Sequence, residues 1–260
     1  MKVGIVGLPN VGKSTLFNCL SQNKAQSENY PFCTIDPNVS IVNVPDLRLD
    51  KLSSLINPQK LIPTTVKIVD IAGLVKGASK GEGLGNKFLS NIRETDAVIH
   101  VLRCFDDPNI VHVDGKINPL SDKEVVEYEL VLKDIEIIEK RLDRIKKTLR
   151  SGSNESKKEI EILEKILYQL QKMNVSRNDF SDDQFKEFIK PLDLISFKPV
   201  LYVCNVGEND VTTGNSYVEE VRRKIENQDS EIIIISAKIE SEINELDSLD
   251  ERKIFLDDLG

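Results

Sequence analysis

The sequence is poor in cysteine and histidine, with four cysteines and two histidines among 260 residues. The cysteines lie far apart, form no Cys-x-x-Cys pair, and are expected to be reduced structural thiols of an intracellular protein. No apolar run is long enough to span a membrane, and no signal peptide precedes the first apolar segment. We therefore expect a cytoplasmic protein without a membrane partner. The cysteines are Cys19, Cys33, Cys104 and Cys204.

Positive charge is also scarce relative to negative charge, and the formal net charge is −8. This balance argues against indiscriminate nucleic-acid binding by the whole surface, although it allows a local basic patch. An apolar content of 40% and a charged content of 30% are ordinary for a soluble protein with a core. The length allows one large domain, or a core domain with an insertion.

A phosphate-binding loop of the form Gly-x4-Gly-Lys-Ser begins at Gly7. The strand-like segment Met1–Val6 precedes it and the helix-like segment Thr15–Leu20 follows, which is the context that such a loop requires. The backbone N–H groups of the loop would surround phosphates, with Lys13 reaching the β- and γ-phosphates and Ser14 ligating magnesium. The predicted nucleotide-binding residues here are Asn10, Val11, Gly12, Lys13, Ser14 and Thr15.

Short β-branched runs alternate with helical stretches, which predicts an α/β fold with a mainly parallel sheet. Ligands of such sheets bind at the carboxyl ends of the strands, so the loops that follow should meet at one site. The predicted strands are Met1–Val6, Val66–Asp70, Ala97–Leu102, Pro199–Asn205 and Glu231–Ser236.

A helical segment interrupts this α/β pattern. Apolar residues from Val131 to Leu149, and again from Ile160 to Leu170, are spaced by three and four, as in a heptad seam. Ser-x-x-Glu capping boxes begin at Ser121 and Ser156, and a Ser-x-x-Gln box begins at Ser181. We predict an inserted antiparallel helical hairpin, a coiled coil, over residues 121–191. Residues 1–120 and 192–260 would form the nucleotide-binding domain.

Two further motifs complete the phosphate side. Asp70 ends a predicted strand in Asp-x-x-Gly and would hold magnesium through a water, while the Gly73 N–H would approach the γ-phosphate. Thr34, in a loop bracketed by prolines, would close on magnesium when the γ-phosphate is present. The alternative for Thr34 is an ordinary turn threonine.

The residue after Asp-x-x-Gly is Leu74, which cannot orient water as the glutamine of Ras-type enzymes does. Hydrolysis should therefore be slow, or another group must position the water. His112 is our candidate for a water-orienting base, against the alternative of an ordinary loop histidine. His100 lies inside a predicted strand and is expected to be packed.

The base loop departs from the guanine-reading Asn-Lys-x-Asp pattern, since Val206 and Glu208 replace the lysine and the aspartate. A base reader works only when its hydrogen bonds are met, so we expect ATP to bind at least as well as GTP. The residues expected to face or back the base are Asn205, Val206, Glu208, Ser236, Ala237 and Lys238.

Together these motifs resemble the YchF family of the Obg-related GTPases. The resemblance rests on the phosphate loop, Tyr-Pro-Phe-Cys-Thr34, Asp70-Ile-Ala-Gly-Leu-Val-Lys-Gly-Ala-Ser, Gly-Glu-Gly-Leu-Gly-Asn-Lys-Phe, Arg103-Cys-Phe, Asn205-Val-Gly-Glu208 and Ser236-Ala-Lys. It implies a Ras-like domain with a coiled-coil insertion, ATPase activity and association with the ribosome or its large subunit. Family members end the nucleotide domain with another helix and add a C-terminal TGS domain. We expect this chain to be a fragment without either.

Two weaker expectations concern a bound potassium ion and an RNA contact. In potassium-dependent GTPases, an asparagine at the position of Asn10 helps to bind K⁺ beside the phosphates. Basic residues at the predicted hairpin tip indicate either a solvated coiled-coil surface, which the sequence alone slightly favours, or an RNA contact, which the ribosome association of the family favours. They are Arg144, Lys146, Lys147, Arg150, Lys157 and Lys158.

The sequence thus predicts a magnesium-dependent hydrolase of ATP that tolerates GTP, with no sequence-specific DNA partner. Two functional classes stay open: an enzyme whose turnover matters in itself, and a regulatory module whose nucleotide state controls a partner. Leu74 favours the regulatory module, because a slow hydrolase suits a switch. A conventional GTP-preferring switch is the alternative.

Overall fold

Six strands form one sheet in the order β2-β3-β1-β4-β5-β6 within the residues that the computed structural model describes. Those residues are 1–21, 38–71, 91–113, 115–148, 154–225, 230–246 and 248–259. Only β2 is antiparallel to its neighbour, β3, so the predicted mainly parallel α/β sheet is confirmed. The strands are β1 Lys2–Val6, β2 Val39–Asn43, β3 Thr65–Asp70, β4 Ala97–Cys104, β5 Val200–Val206 and β6 Glu231–Ile235.

The described α-helices flank the sheet or lie in the insertion between β4 and β5. They are α1 Lys13–Ser21, α2 Leu47–Ile56, α3 Pro119–Thr148, α4 Asn154–Gln171, α5 Asp182–Gln184, α6 Ser216–Ile225, α7 Ala237–Glu245 and α8 Leu249–Leu259. From β1 the chain runs to β2 and β3 on one side of β1 and then to β4 on the other. This reversal of strand order places the loop after β1 at the position where sheets of this type bind ligands.

Buried apolar strands explain why the sheet could be predicted. Ile5 and Val6 in β1, and Val101 in β4, are almost fully buried in one core with Leu16 and Phe17 of α1. Burial on both faces selects the continuous β-branched runs that parallel strands show. A second core, around Cys104, Cys204 and Val218, lies between β4, β5 and α6. Cys19, Cys104 and Cys204 are buried free thiols.

The helical insertion has an apolar core of its own, with Ile138 of α3 and Leu163, Ile166 and Leu170 of α4 fully buried. Arg141 of α3 and Glu159 of α4 form an ion pair at 2.6 Å. The Asp134 carboxylate accepts hydrogen bonds from the backbone N–H groups of Ile195 at 3.0 Å and Ser196 at 2.7 Å. This contact ties α3 to the segment that leads into β5. The supercoiling and the domain boundaries at 121 and 191 stay predictions.

Two helix starts differ from the capping boxes expected at Ser121 and Ser156. Helix α3 begins at Pro119 because Asn118 caps it, its Oδ1 accepting from the Ser121 N–H at 3.1 Å, and proline suits a first helical position. Helix α4 begins at Asn154, ahead of Ser156. The third box is present: Ser181 Oγ accepts from the Gln184 N–H, and the Gln184 side chain accepts from the Ser181 N–H, both at 3.2 Å.

The expectation that no helix follows the last strand is wrong, because α7 and α8 both follow β6. Ser236 caps α7 by accepting from the Ile239 N–H. Ser248 and Glu251 form a reciprocal pair at the start of α8, since Ser248 Oγ accepts from the Glu251 N–H at 3.0 Å and Glu251 accepts from the Ser248 N–H at 3.3 Å. Across the described parts of the chain, no helix combines the length and the apolar character needed to cross a membrane.

Candidate functional site

The phosphate-binding loop joins β1 to α1, and glycine is required within it. Gly12 has a φ of +99°, and a Cβ at this position would lie 2.4 Å from the Asn205 Nδ2. The Gly12 carbonyl oxygen accepts the first helical hydrogen bond, from the Leu16 N–H at 2.9 Å. The loop therefore turns directly into the N-terminus of α1, a geometry that favours bound phosphate.

Lys13 is folded back over this loop. Its Nζ donates to the Leu8 carbonyl oxygen at 2.6 Å, and the residue is buried. Burial lowers the pKa of Lys13 from 10.5 to about 8, while the Asp70 charge acts in the opposite direction. A desolvated ammonium gains more from an anionic partner than a hydrated one does, so this side chain is suited to contact phosphate oxygens.

Ser14 and Asp70, the two predicted magnesium residues that the structure describes, lie together. Ser14 Oγ donates to Asp70 Oδ2 at 2.9 Å, which joins the start of α1 to the end of β3. Asp70 Oδ1 is buried, and no donor in the described part of the chain reaches it. A buried carboxylate oxygen without a donor beside a serine hydroxyl is a donor set that suits a hydrated divalent cation.

The base side is built around Asn205, at the end of β5. Its Nδ2 donates to the Val11 carbonyl oxygen at 2.9 Å, and its Oδ1 accepts from the Ala237 N–H at 2.9 Å. Both ends of the carboxamide thus bind protein backbone. Glu208 forms an exposed ion pair with Lys238, whereas Val206 is buried and Ser236 caps α7. The exposed carboxylate of Glu208 is therefore accessible to a ligand.

The loop after β4 carries His112, and Arg103, to which the sequence motifs assigned no role in the site, holds this loop in place. Arg103 is only 1% exposed, and its guanidinium donates to the carbonyl oxygens of Phe105, Asp107 and Ile110 at 3.2, 3.2 and 3.0 Å. Arg103 directly follows the predicted strand Ala97–Leu102, but backbone carbonyl oxygens as partners leave no signal in the sequence. Val111, the residue after Ile110, accepts from Asn10 Nδ2 at 3.1 Å.

The two histidines occupy different environments. His112 Nε2 lies 3.0 Å from Asp122 Oδ2, with both side chains buried. His100 is packed in β4, as predicted, with its ring centroid 5.6 Å from that of Tyr202. Burial, with the charges of Lys123 and Lys13, lowers the pKa of His100 to about 3. Asp122 was missed because the pattern at Ser121 was interpreted only as a helix start.

The remaining predicted site residues lie outside the described residues. They are Thr34, the candidate magnesium ligand, and Gly73 and Leu74, the residues after Asp-x-x. Arg150 of the predicted basic cluster and Cys33 also lie outside them.

Comparison with known proteins gives one consistent result. A family model described as 50S ribosome-binding GTPase matches residues 2–206. The ribosome-binding ATPase YchF of Bacillus subtilis (strain 168) is 51% identical over 263 residues, which covers 100% of this chain and 71% of the relative. The protein of the same name from Escherichia coli O157:H7 is 48% identical over 260 residues, with the same coverage.

A solved structure extends this likeness to the fold. The structure of the Schizosaccharomyces pombe YchF GTPase matches with a TM-score of 0.85 and 36% sequence identity, covering 100% of this chain and 71% of that one. Identity of about one half over the whole chain and a shared fold are sufficient to assign the family. The chain belongs to the YchF family, as its motifs predict.

Proposed function

We propose that this protein is a magnesium-dependent hydrolase that binds ATP, tolerates GTP, turns over slowly and acts as a ribosome-associated regulator of translation or stress responses. The observation that carries the proposal is the Ser14–Asp70 hydrogen bond beside the buried Lys13 ammonium. A phosphate-binding loop, a cation and a carboxylate with a spare oxygen are the parts that phosphoryl transfer requires.

Magnesium would be held by Ser14, by Asp70 through a water and, from the sequence, by Thr34. The described residues contain no group of three or more His, Cys, Asp or Glu side chains that could hold a metal. Mg²⁺ is usually bound by a few protein oxygen atoms together with substrate phosphates and waters. When bound, the ion would neutralise charge that develops on the phosphate oxygens.

The residues of the chain would mainly position the reactants. The loop from Asn10 to Thr15 binds the phosphates, Lys13 contacts the β- and γ-phosphates, and the Gly73 N–H contacts the γ-phosphate. Water attacks the γ-phosphorus, the bond to the β–γ bridging oxygen breaks, and ADP and phosphate leave. Leu74 cannot orient this water, so His112 is our candidate for that role and a slow intrinsic rate is expected.

Base selection depends on Glu208. A guanine reader uses an aspartate to accept from N1–H and the 2-amino group, and adenine offers neither of these donors. Glu208 carries one more methylene than that aspartate and is paired with Lys238. Both ends of the Asn205 carboxamide form hydrogen bonds to backbone groups of Val11 and Ala237, so neither is available to the base. A GTP-preferring switch is the second candidate, because the matching family model and the similar fungal structure are both described as GTPases.

Association with ribosomes is proposed from the two bacterial relatives described above, both of which are named ribosome-binding ATPases. The exposed basic residues of the hairpin could supply an RNA contact, since phosphate contacts supply most sequence-independent affinity. Those that the structure describes are Arg144, Lys146, Lys147, Lys157 and Lys158.

Potassium is a further proposed ligand. The carboxamide of Asn10 lies in the phosphate loop, but its Nδ2 donates to Val111 in this structure. Its Oδ1 would be the atom that ligates K⁺ beside the phosphates. Equal turnover in potassium and sodium buffers would contradict this role.

Titration of labelled ATP and GTP with magnesium present, followed by assay of phosphate release, tests the nucleotide part of the proposal. ATP affinity equal to or tighter than GTP affinity, with slow release that needs magnesium, is the expected result. Clear GTP preference would show that the altered base loop still selects guanine, and would establish the conventional switch instead.

Ribosome pelleting tests the partner. Charge reversal at Lys146, Lys147, Lys157 and Lys158 should remove the protein from the ribosomal pellet. Reversal to glutamate of four exposed lysines outside the hairpin, Lys51, Lys60, Lys224 and Lys253, is the matched control and should leave pelleting intact. Unchanged pelleting of the hairpin variant would refute the RNA contact.

A further inference from the structure

Asn10 and Val11, consecutive residues of the phosphate-binding loop, are each held by a contact from another part of the chain. Asn205, in β5, donates directly to the Val11 carbonyl oxygen at 2.9 Å. Asn10 Nδ2 donates at 3.1 Å to the carbonyl oxygen of Val111, which lies in the loop after β4. The contact to Asn10 therefore depends on how the loop after β4 is itself held.

Arg103, near the end of β4, determines the course of that loop. The residue is almost fully buried, and its guanidinium donates to three carbonyl oxygens of the loop. They belong to Phe105, Asp107 and Ile110, at 3.2, 3.2 and 3.0 Å. Ile110 directly precedes Val111. Because a guanidinium presents its donors in one rigid plane, these bonds fix the loop relative to β4.

The backbone of Asn10 needs such support. Asn10 has a φ of +61°, in the left-handed region, and Gly12 has a φ of +99°. The left-handed conformation costs free energy in a residue with a side chain, and it persists where neighbouring contacts enforce it. Left-handed residues in such loops turn backbone N–H groups toward one side, which forms a concave site for anions. The conformation of Asn10 therefore affects how the loop binds phosphate.

We propose that Arg103 is a positioning residue for the phosphate-binding loop: it fixes the loop after β4 so that the Val111 carbonyl oxygen holds Asn10 in its left-handed conformation. Arg103 lies opposite Asn205 in the pairing of β4 with β5, so the two residues that hold the phosphate-binding loop are neighbours across the sheet. The inference rests on the proposed binding of ATP, and it adds a residue that sets ATP affinity through other residues.

A double-mutant cycle, measured by ATP titration with magnesium present, tests this inference. Arg103→Met removes the guanidinium and should raise the Kd for ATP by about fivefold to tenfold, the size expected when a left-handed residue loses its support. In the Asn10→Gly background, the same substitution should change the Kd by less than about twofold, because glycine adopts a positive φ without the contact to Val111. Arg103→Lys keeps the charge without the planar fork and should show the same pattern with a smaller rise.

Arg93→Met is the matched control, because Arg93 also donates to a backbone carbonyl oxygen, that of Leu192, at 3.0 Å. Arg93 and Leu192 precede β4 and β5, whereas the phosphate-binding loop follows β1. This variant should leave the Kd for ATP within about twofold of the unmodified chain. An unchanged Kd in both Arg103 variants would overturn the inference. A rise of equal size in the Asn10→Gly background would also overturn it, since the effect would not pass through Asn10.

A measurement without nucleotide separates failure of this inference from failure of the proposed function. The side-chain NH₂ signals of Asn10 in a ¹H–¹⁵N spectrum are assigned by their absence from Asn10→Gly. Arg103→Met and Arg103→Lys should shift these signals, because the Val111 acceptor moves, and Arg93→Met should leave them in place. Unshifted signals in both Arg103 variants would overturn the inference even in a chain that binds ATP. Shifted signals in a chain that binds no ATP would support the positioning by Arg103 and refute only the proposed function.

Discussion

Asn205 Nδ2 donates a hydrogen bond of 2.9 Å to the Val11 carbonyl oxygen, and this contact joins the end of β5 to the phosphate loop. The Oδ1 of the same carboxamide accepts from the Ala237 N–H, at the start of α7. Asn205 is 4% exposed, so both bonds form out of contact with bulk water. The residue therefore holds three segments of the site in register, and it does so with the atoms that would otherwise face a base.

Asn205→Ala should weaken ATP and GTP binding to a similar degree. Loss of a buried hydrogen bond leaves partners unsatisfied at a cost of about 1–3 kcal/mol, so both dissociation constants should rise by about fivefold to 100-fold. The ratio of the two should stay within about twofold, because no base contact is lost. Parallel fluorescence titrations measure this. Asn244→Ala, which removes a bond to the Cys19 carbonyl oxygen, is the control; a changed ATP-to-GTP ratio in Asn205→Ala would assign base reading to Asn205.

Gly12→Ala should remove most nucleotide affinity, because its Cβ would lie 2.4 Å from Asn205 Nδ2 and its φ of +99° disfavours a side chain. We expect a loss of at least about 100-fold, or about 2.7 kcal/mol, in ATP titration.

Gly115→Ala is the matched control, since Gly115 also has positive φ but no described atom within 4 Å of its Cβ position. The double variant Gly12→Ala/Asn205→Ala should lose less than the sum of the two. Strict additivity would show that the clash with Asn205 is not the cause.

Asp70→Asn should raise the magnesium concentration needed for half-maximal hydrolysis by about tenfold, because a neutral amide is a poor partner for a hydrated divalent cation. ATP binding measured in EDTA should change by less than about twofold, since Lys13 and the loop backbone remain. Magnesium titrations of phosphate release provide the test. Asp50→Asn, on the exposed helix α2, should match the unmodified chain. An unchanged magnesium requirement in Asp70→Asn would exclude this carboxylate from the metal site.

Much of the sheet could be predicted because its parallel strands bury continuous β-branched runs, as in β1 and β4. The edge strand β2 was missed for a physical reason. Its buried positions are Ser40 and Val42, while Ile41 is only half-buried. The apolar residues of this strand therefore do not coincide with its buried positions, so the sequence shows no alternating strand pattern. Helix α8 was also missed, although the reciprocal bonds of Ser248 and Glu251 correspond to a Ser-x-x-Glu pattern in the sequence.

The site was predictable where its residues follow paired strands. Ser14 lies beyond the loop that follows β1, and Asp70 ends β3; because these strands are neighbours in the sheet, the proximity of the two residues follows from topology. Arg103 and Asp122 could not be assigned in this way. Arg103 binds three backbone carbonyl oxygens, which carry no sequence signal, and the partner of Asp122 is ten residues away along an irregular loop.

His100 provides a test of acid stability, because its Nε2 is buried without a hydrogen-bond partner among the described residues. Burial and the positive charges of Lys123 and Lys13 lower the pKa of His100 to about 3, against 6.5 for an ordinary histidine. Between these pH values the unfolded chain binds a proton at this residue that the folded chain does not. The free energy of unfolding therefore falls as the pH falls below about 6.5, by up to about 1.4 kcal/mol per pH unit.

His100→Phe keeps a ring beside Tyr202 and removes the titrating group, so its stability should depend less on pH. Urea unfolding at about pH 7 and about pH 5 should show a fall in the free energy of unfolding that is smaller in the variant by about 2 kcal/mol. Comparing each protein with itself at the two pH values cancels the packing cost of the larger ring, which acts at both. Equal losses in the two proteins would mean that His100 is protonated in the folded state, or that water reaches it. Either result would contradict the buried, neutral imidazole on which the sign of the effect depends.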